Sequence, residues 1–334
     1  MSVSSKTSKS FKVKKITQIK DLQIGEDLPT SDLCITNDDT ILQFDFIEPE
    51  EDMVPKVTVK PGVFTILKNS VGISLIPTKM ETGNALESVD NTARIKKELE
   101  SFYGKLHIYE ELQLPKKRAI LLYGEPGTGK TFSIKKAVND LISQDPGVTV
   151  LIWPTSEISS EVVSKFLSFA ADYTKDVTKV VLIMEDIGGS EEEVSSRVRE
   201  VSSGILQLLD GVNVVFRLPT FIIATTNFPQ KLLSNLADRP GRFDELIDMP
   251  PPPLEQKIAL LEFIAKRLLS DEEKNALKMK GADKLSIAHL KEIIVRTRIH
   301  DKTINQVVKE MIEHRAKFEA GFEKRQKMGF FDED

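Results

Sequence analysis

The sequence predicts an α/β protein built on a parallel sheet, preceded by a small β-rich domain and followed by a helical subdomain. Three observations carry this prediction. Between residues 94 and 253, short apolar runs alternate with amphipathic stretches, the pattern of strands buried on both faces of a sheet. Ahead of that region, residues 21–80 hold brief apolar bursts separated by turn formers. After the four prolines at 250–253 the strand pattern stops and only helical periodicity continues.

Taken in order, residues 1–20 carry Lys6, Lys9, Lys12, Lys14, Lys15 and Lys20 with no acid before Asp21, which predicts a disordered basic tail. An arginine-rich transit peptide is the weaker reading, because the stretch has no arginine. Residues 21–80 contain KVTV, VFTILK and VGISLIP with PG and NS between them, a β-rich domain, and the polar 81–93 stretch suits a linker. From 94 to 253 come ARIKKELESFYGKL, AILLY, a helix from Lys130, VTVLIW, SEVVSKFLSFAADY, VVLIM, SSRVREVSSGILQLL and TFIIATT. In SEVVSKFLSFAADY, Val162, Val163, Phe166, Leu167, Ala170 and Tyr173 share one helical face and read as core. Residues 254–322 read as a helical lid in which Ile304, Val307, Val308, Met311 and Ile312 form a buried stripe. Residues 323–334 are left as a tail.

Composition removes several function classes. Across 334 residues, 46 Lys and Arg stand against 51 Asp and Glu, a net charge of −5, so no strongly basic surface for nucleic acid is built in, although a local basic face stays open. The single cysteine, Cys34, excludes an internal disulfide and a multi-cysteine metal site, and four scattered histidines give no zinc spacing. No apolar run approaches the roughly 18 to 20 residues that span a bilayer. These features lead to the expectation of a soluble, cytoplasmic protein without a membrane partner.

The stretch AILLYGEPGTGKT is an apolar strand followed by a phosphate loop, GxxxxGK[ST], over Gly124, Glu125, Pro126, Gly127, Thr128, Gly129, Lys130 and Thr131. Its glycines let backbone N–H groups turn toward an anion, Lys130 supplies positive charge for the β and γ phosphates, and Thr131 offers a hydroxyl to Mg²⁺. A helix beginning there adds the positive end of its dipole. The α/β unit is thereby predicted to be a P-loop NTPase sheet with ATP and Mg²⁺ as its cofactors, and the missing GxGxxG argues against a nicotinamide enzyme.

A second apolar strand, VVLIMED, stops on Glu185 and Asp186. Such an NTPase needs a strand that ends at the metal, with one carboxylate for Mg²⁺ and another to orient the attacking water. Adjacent strand residues point to opposite sides, so the two acids are expected to divide these tasks. Glu191, Glu192 and Glu193 just beyond read as the solvated start of a helix.

With both motifs in place, residues 94–320 resemble an AAA+ ATPase of the main AAA clade. SSGILQLLDGV and FIIATTNFPQKLLSNLADRPGRFDELIDMPPPP resemble that clade's further conserved region. The Glu–Asp order, with SGxLxxLDGV and TTN, is most similar to the branch containing the mitochondrial inner-membrane translocase of the Rieske iron-sulfur protein, which has a membrane span. The resemblance implies that Glu185 is the magnesium-side acid and Asp186 the water-activating one. It implies that Asn227 senses the γ phosphate and that Arg239 and Arg242 act as fingers in a neighbouring subunit's site. A homo-oligomer, usually a hexamer, and ATP-driven remodelling or translocation of a protein bound through the N-terminal domain follow from the same resemblance.

Two departures limit this. WPTSEISSEV lacks the aromatic–hydrophobic–glycine pore loop; Trp153 reads as packed at a strand end, and Glu157, Ile158 and Ser159 are the nearest pore candidates. SIAHL stands where the clade has SGADL, with His289 replacing the acid. The alternatives kept open are a nucleic-acid-associated ATPase using the N-terminal lysines or VRTRIHDK at 295–302, and a nucleotide-gated scaffold with little turnover.

Overall fold

The computed structural model describes residues 10–16, 31–37, 40–47, 61–68, 73–81, 90–154, 176–187, 209, 218–228 and 242–328. Among the described residues, ten strands form one sheet: β1 (Ser10–Ile16), β2 (Ser31–Asn37), β3 (Thr40–Ile47), β4 (Val63–Lys68), β5 (Ile73–Pro77), β6 (Lys117–Tyr123), β7 (Val148–Pro154), β8 (Lys179–Glu185), β9 (Thr220–Thr226) and β10 (Glu245–Asp248). Their order is β1-β3-β2-β5-β4-β7-β8-β9-β6-β10. From β4 through β7, β8, β9 and β6 to β10, each neighbouring pair is parallel.

Helices α1 (Asp90–Gly104) and α3 (Lys130–Gln144) pack against this parallel part, with the short α2 (Leu106–Glu111) between them in sequence. The uninterrupted apolar runs have the cause the sequence suggested: all seven residues of β9 are buried, as are the five central residues of β8. Ile95, Leu99 and Phe102 of α1 and Ile134, Ala137 and Val138 of α3 close the core over Ile120, Val181 and Phe221. Phe102 meets the Phe221 ring at 5.6 Å and the Tyr109 ring edge-on at 5.3 Å. Burying such side chains contributes roughly 1.5–3 kcal/mol each.

The lid consists of α4 (Leu254–Ala265), α5 (Asp271–Ala276), α6 (Ile287–Ile299) and α7 (Ile304–Met328). Its separate core joins Leu261, Leu290, Ile293 and Ile294 to Ile304, Val307, Val308 and Met311, with Ile312 only partly buried at the rim. Two cations hold its internal turn. Buried Lys257 donates to the Ala282 and Asp283 carbonyls, both at 2.6 Å, and Arg315 donates to the Lys284 carbonyl at 2.6 Å.

Three expected boundaries shift. Ser10–Ile16, expected to lie in a disordered tail, forms β1 and pairs antiparallel with β3. Phe11 and Val13 alternate there with Lys12 and Lys14, a period-two pattern masked by the charge. The β-rich segment is also continuous with the core sheet, because β4 pairs with β7 from Val63↔Val150 to Thr65↔Ile152. Finally, α7 runs to Met328, past the expected lid end at 322. KVTV, the 160–173 helix, the acids 191–193, the SSGILQLLDGV stretch apart from Leu209, and residues 329–334 of the expected C-terminal tail lie outside the described residues.

Candidate nucleotide site

The site lies at the carboxyl ends of β6, β8 and β9, where parallel α/β sheets place ligands. After Tyr123 the chain turns through Gly124 (φ 148°), Gly127 (φ 77°) and Gly129 (φ 97°), and Gly129 is the residue preceding α3. Glycine is required at Gly124 because a Cβ there would lie 2.4 Å from the Met249 carbonyl oxygen. The loop braces itself through Thr128, which is buried and donates its hydroxyl to the Glu125 carbonyl at 2.9 Å.

Lys130 is 7% exposed. Its ammonium donates to the carbonyls of Gly124 at 2.7 Å and Glu125 at 3.0 Å, and to Asn227 Oδ1 at 2.8 Å. Burial pushes its pKa below the ordinary lysine value, with the Asp186 and Glu125 carboxylates acting in the opposite sense. Asn227, just past the end of β9, donates its Nδ2 to Asp186 Oδ1 at 2.6 Å. An ammonium can only donate and a carboxylate only accept, so these two partners fix the amide's orientation. A phosphate loop, a strand-end acid and a strand-end asparagine are therefore one hydrogen-bonded unit.

Glu185 closes β8, and Asp186 lies beyond it at φ 51°, a left-handed conformation unusual outside glycine. The Thr225 hydroxyl accepts the Asp186 N–H at 3.0 Å and the Thr225 carbonyl accepts that of Ile187 at 2.8 Å, which hold the bend. This corrects the expectation that strand alternation sends the two acids to opposite sides. The strand has ended, and both acids line the same cavity.

That cavity, of about 440 Å³, is lined by two chemically different sets of residues. The loop, Thr131, Glu185, Asp186, Thr225 and Asn227 supply a polar set, and the lid side supplies the mostly apolar Pro252, Leu260, Phe263, Ile264 and Ile287 together with Gln256 and Lys291. Phe263 is 47% exposed in the cavity lining, where its ring face is available for stacking against a base. Thr131 and Glu185 both line this cavity, and a hydroxyl with a carboxylate is a hard-oxygen pair of the kind that fits Mg²⁺ when phosphate oxygens complete the shell. Among the described residues, no group of three or more His, Cys, Asp or Glu could hold a metal by itself.

The remaining candidates fare differently. Arg242 is 6% exposed and engaged within its own chain, so it reaches a neighbouring subunit only by leaving that position. Arg239 lies outside the described residues, as do Glu157, Ile158 and Ser159. Trp153 is fully buried beside β8 and does not line a pore in this arrangement. His289 is turned to its own helix, where Nδ1 accepts the Ser286 N–H at 3.1 Å, the task an acid performs in a capping box. Burial first, and then Arg315, hold its pKa below the ordinary histidine value.

Sequence reasoning missed Thr225, whose hydroxyl fixes Asp186, and the lid residues Leu260, Phe263, Ile287 and Ala288. It also missed Arg315, whose Nη2 donates to Glu125 Oε2 at 2.6 Å. The only local signal was the threonine pair ahead of Asn227.

Comparison with known proteins agrees with this geometry. Residues 120–251 match the family model described as ATPase family associated with various cellular activities (AAA). The chain is 29% identical over 199 residues to the proteasome-activating nucleotidase of Pyrococcus horikoshii, covering 55% of this chain and 45% of the relative. It is 28% identical over 182 residues to that of Methanocaldococcus jannaschii, covering 50% and 40%. With the Methanoregula boonei protein of the same name it shares 27% over 252 residues, covering 67% and 56%. The chain thus spans about half the length of the curated relatives it matches. No helix among the described residues is long and apolar enough to cross a membrane. The phosphate loop, both acids and Asn227 all fall inside the stretch that matches this family model.

Proposed function

We propose that this chain hydrolyses ATP to ADP and phosphate in a homo-oligomeric ring, and that the cycle remodels or moves a protein partner bound through the N-terminal strands. The observation that carries the chemistry is the Lys130–Asn227–Asp186 chain of hydrogen bonds, which ends in the same cavity as Glu185 and Thr131. In this reading the loop amides and Lys130 hold the β and γ phosphates, and Thr131 and Glu185 hold Mg²⁺. The metal supplies charge neutralisation at the transferred phosphoryl group. Asp186, oriented by Asn227, accepts the proton of the attacking water, and the apolar lid residues of the cavity receive the base.

A protein partner is favoured by the relatives, named as proteasome-activating nucleotidases, and by a net charge of −5 that offers no general nucleic-acid surface. The hexameric ring and the roles of Arg239 and Arg242 rest on RPGRFD, and kinship with the Rieske-translocase branch rests on the Glu–Asp order with its flanking motifs. Cytoplasmic location is part of the same proposal. The test is ATP binding and turnover by the full chain and by Lys130→Ala. Loss of tight binding and of turnover in the variant is expected, and wild-type affinity there overturns the assignment. Turnover stimulated by DNA or RNA with a steep salt dependence would transfer the partner to nucleic acid. Binding without turnover would leave a nucleotide-gated scaffold.

A further inference from the structure

The lid touches the phosphate loop at two kinds of contact. The Ala288 N–H, at the start of α6, donates to the Gly127 carbonyl at 3.1 Å. Packing there leaves no room to spare: a Cβ on Gly127 would come within 2.7 Å of the Ala288 Cβ, and one on Gly129 within 2.9 Å of Ile287 Cδ1. The second contact is made by side chains 190 residues apart, Arg315 Nη2 to Glu125 Oε2 at 2.6 Å. Arg315 also donates Nη1 to the Lys284 carbonyl, so its guanidinium is fixed to the lid turn before it reaches the loop. Its side chain is 17% exposed, against 46% for Glu125.

We propose that the Arg315–Glu125 pair is a latch that holds the lid on the phosphate loop and sets how fast nucleotide leaves. This regulation of the site rests on the nucleotide-binding reading above. The cavity is lined both by the loop and by α4 and α6, so a ligand held against both departs only when lid and loop separate. Separation must break the Ala288–Gly127 backbone bond and the Arg315–Glu125 pair. Arg315 is therefore a positioning residue: it acts on the ligand through the lid.

A competing account makes Arg315 a mere counter-charge that offsets a carboxylate near the phosphates. The two accounts diverge at Glu125→Ala. Removing only a repulsive charge would slow release or leave it unchanged, whereas breaking a latch accelerates it.

The experiment measures release of a fluorescent ATP or ADP analogue from the full chain and from Glu125→Ala, Arg315→Ala and the double variant, with hydrogen exchange at the Ala288 amide in the nucleotide-free proteins. The latch requires each single variant to release about three- to tenfold faster and to expose the Ala288 amide, and the double variant to go no further than either single one. Unchanged or slower release from Glu125→Ala, or fully additive effects, overturns it. If the wild type binds no nucleotide, the functional reading fails by itself, and Ala288 exchange still decides whether the pair holds the lid. Should Arg315→Ala not fold, Glu125→Ala and Arg315→Lys carry the same comparison, with Lys unable to hold the Lys284 carbonyl and Glu125 together.

Discussion

Lys130 and Asp186 are joined through one side-chain amide: Asn227 accepts from the ammonium at 2.8 Å and donates to the carboxylate at 2.6 Å. The residue expected to sense phosphate thus also orients the acid expected to activate water. Asn227→Ala should bind ATP within severalfold of wild type and lose turnover by about 10²-fold, the scale of removing one positioned donor. Equilibrium binding alongside steady-state hydrolysis checks it. Equal losses in both would make Asn227 a binding residue.

Gly127 combines φ 77° with a lid methyl group where its Cβ would stand. Gly127→Ala should cost about 1–3 kcal/mol through backbone strain and displacement of α6. Lower thermal stability together with weaker ATP binding is the expected result, and a wild-type melt would show that the loop and lid yield freely.

The two arginines of RPGRFD should separate. Arg239→Ala is expected to keep its fold and ATP affinity yet lose turnover. Mixing it with Lys130→Ala subunits, which retain the arginine, should restore part of the turnover if the site is completed in trans. Arg242→Ala, which empties a buried position, should lose about 1–3 kcal/mol of stability as well. Normal hydrolysis by a monomeric Arg239→Ala would remove the finger assignment.

Away from the site, Asp145 gives a pH test of the β7–β8 end. Its hydrogen bond from Lys179 at 2.5 Å is the main force holding its carboxyl below the ordinary aspartate value, helped by the Gly147 N–H at 2.9 Å. A depressed carboxyl contributes stability that is present above the unfolded pKa, about 3.9, and lost as pH falls through the lower folded value. Asp145→Asn should therefore cost up to about 1 kcal/mol at pH 7, with the gap closing below roughly pH 4. Urea melts of both proteins across that range measure it.

What the sequence reveals is what is encoded locally. GEPGTGKT, the acids at the end of VVLIM and the asparagine after TFIIATT could be read because each function is carried by a strand and the residues next to it. The lid contributions could not, because Ala288 and Arg315 reach the loop from 161 and 190 residues away, and neither SIAHL nor the helix around Arg315 carries a local sign that it packs there. Asp186 escaped for a different reason. Its direction depends on a left-handed bend held by Thr225, and period-two alternation stops being informative at the last strand residue. His289 shows the converse, since its place in SIAHL, where the clade has an acid, stood out in the sequence, and in the structure it caps its own helix.

The reversed acids admit the sharpest test. Asp186 is fixed by its backbone bend and by Asn227, while Glu185 ends the strand and lines the same cavity as Thr131, which supports the proposal that the first serves the attacking water and the second magnesium. Asp186→Asn should keep ATP and Mg²⁺ affinity and lower turnover by about 10²- to 10⁴-fold, the range of losing a general base. Glu185→Gln should instead raise the Mg²⁺ requirement, with partial recovery at higher metal. Magnesium titrations of binding and hydrolysis decide between them, and an exchange of the two phenotypes would invert the assignment. Asp186→Glu probes the geometry that the bend creates. If the short side chain limits the rate, the added methylene preserves or raises hydrolysis. The Asn227 bond already places the aspartate carboxylate at 2.6 Å, however, so lengthening the side chain must break that bond or push the carboxylate past it. The structure therefore favours a fall in turnover, and a faster Asp186→Glu enzyme would show that Asn227 does not set the position of the base.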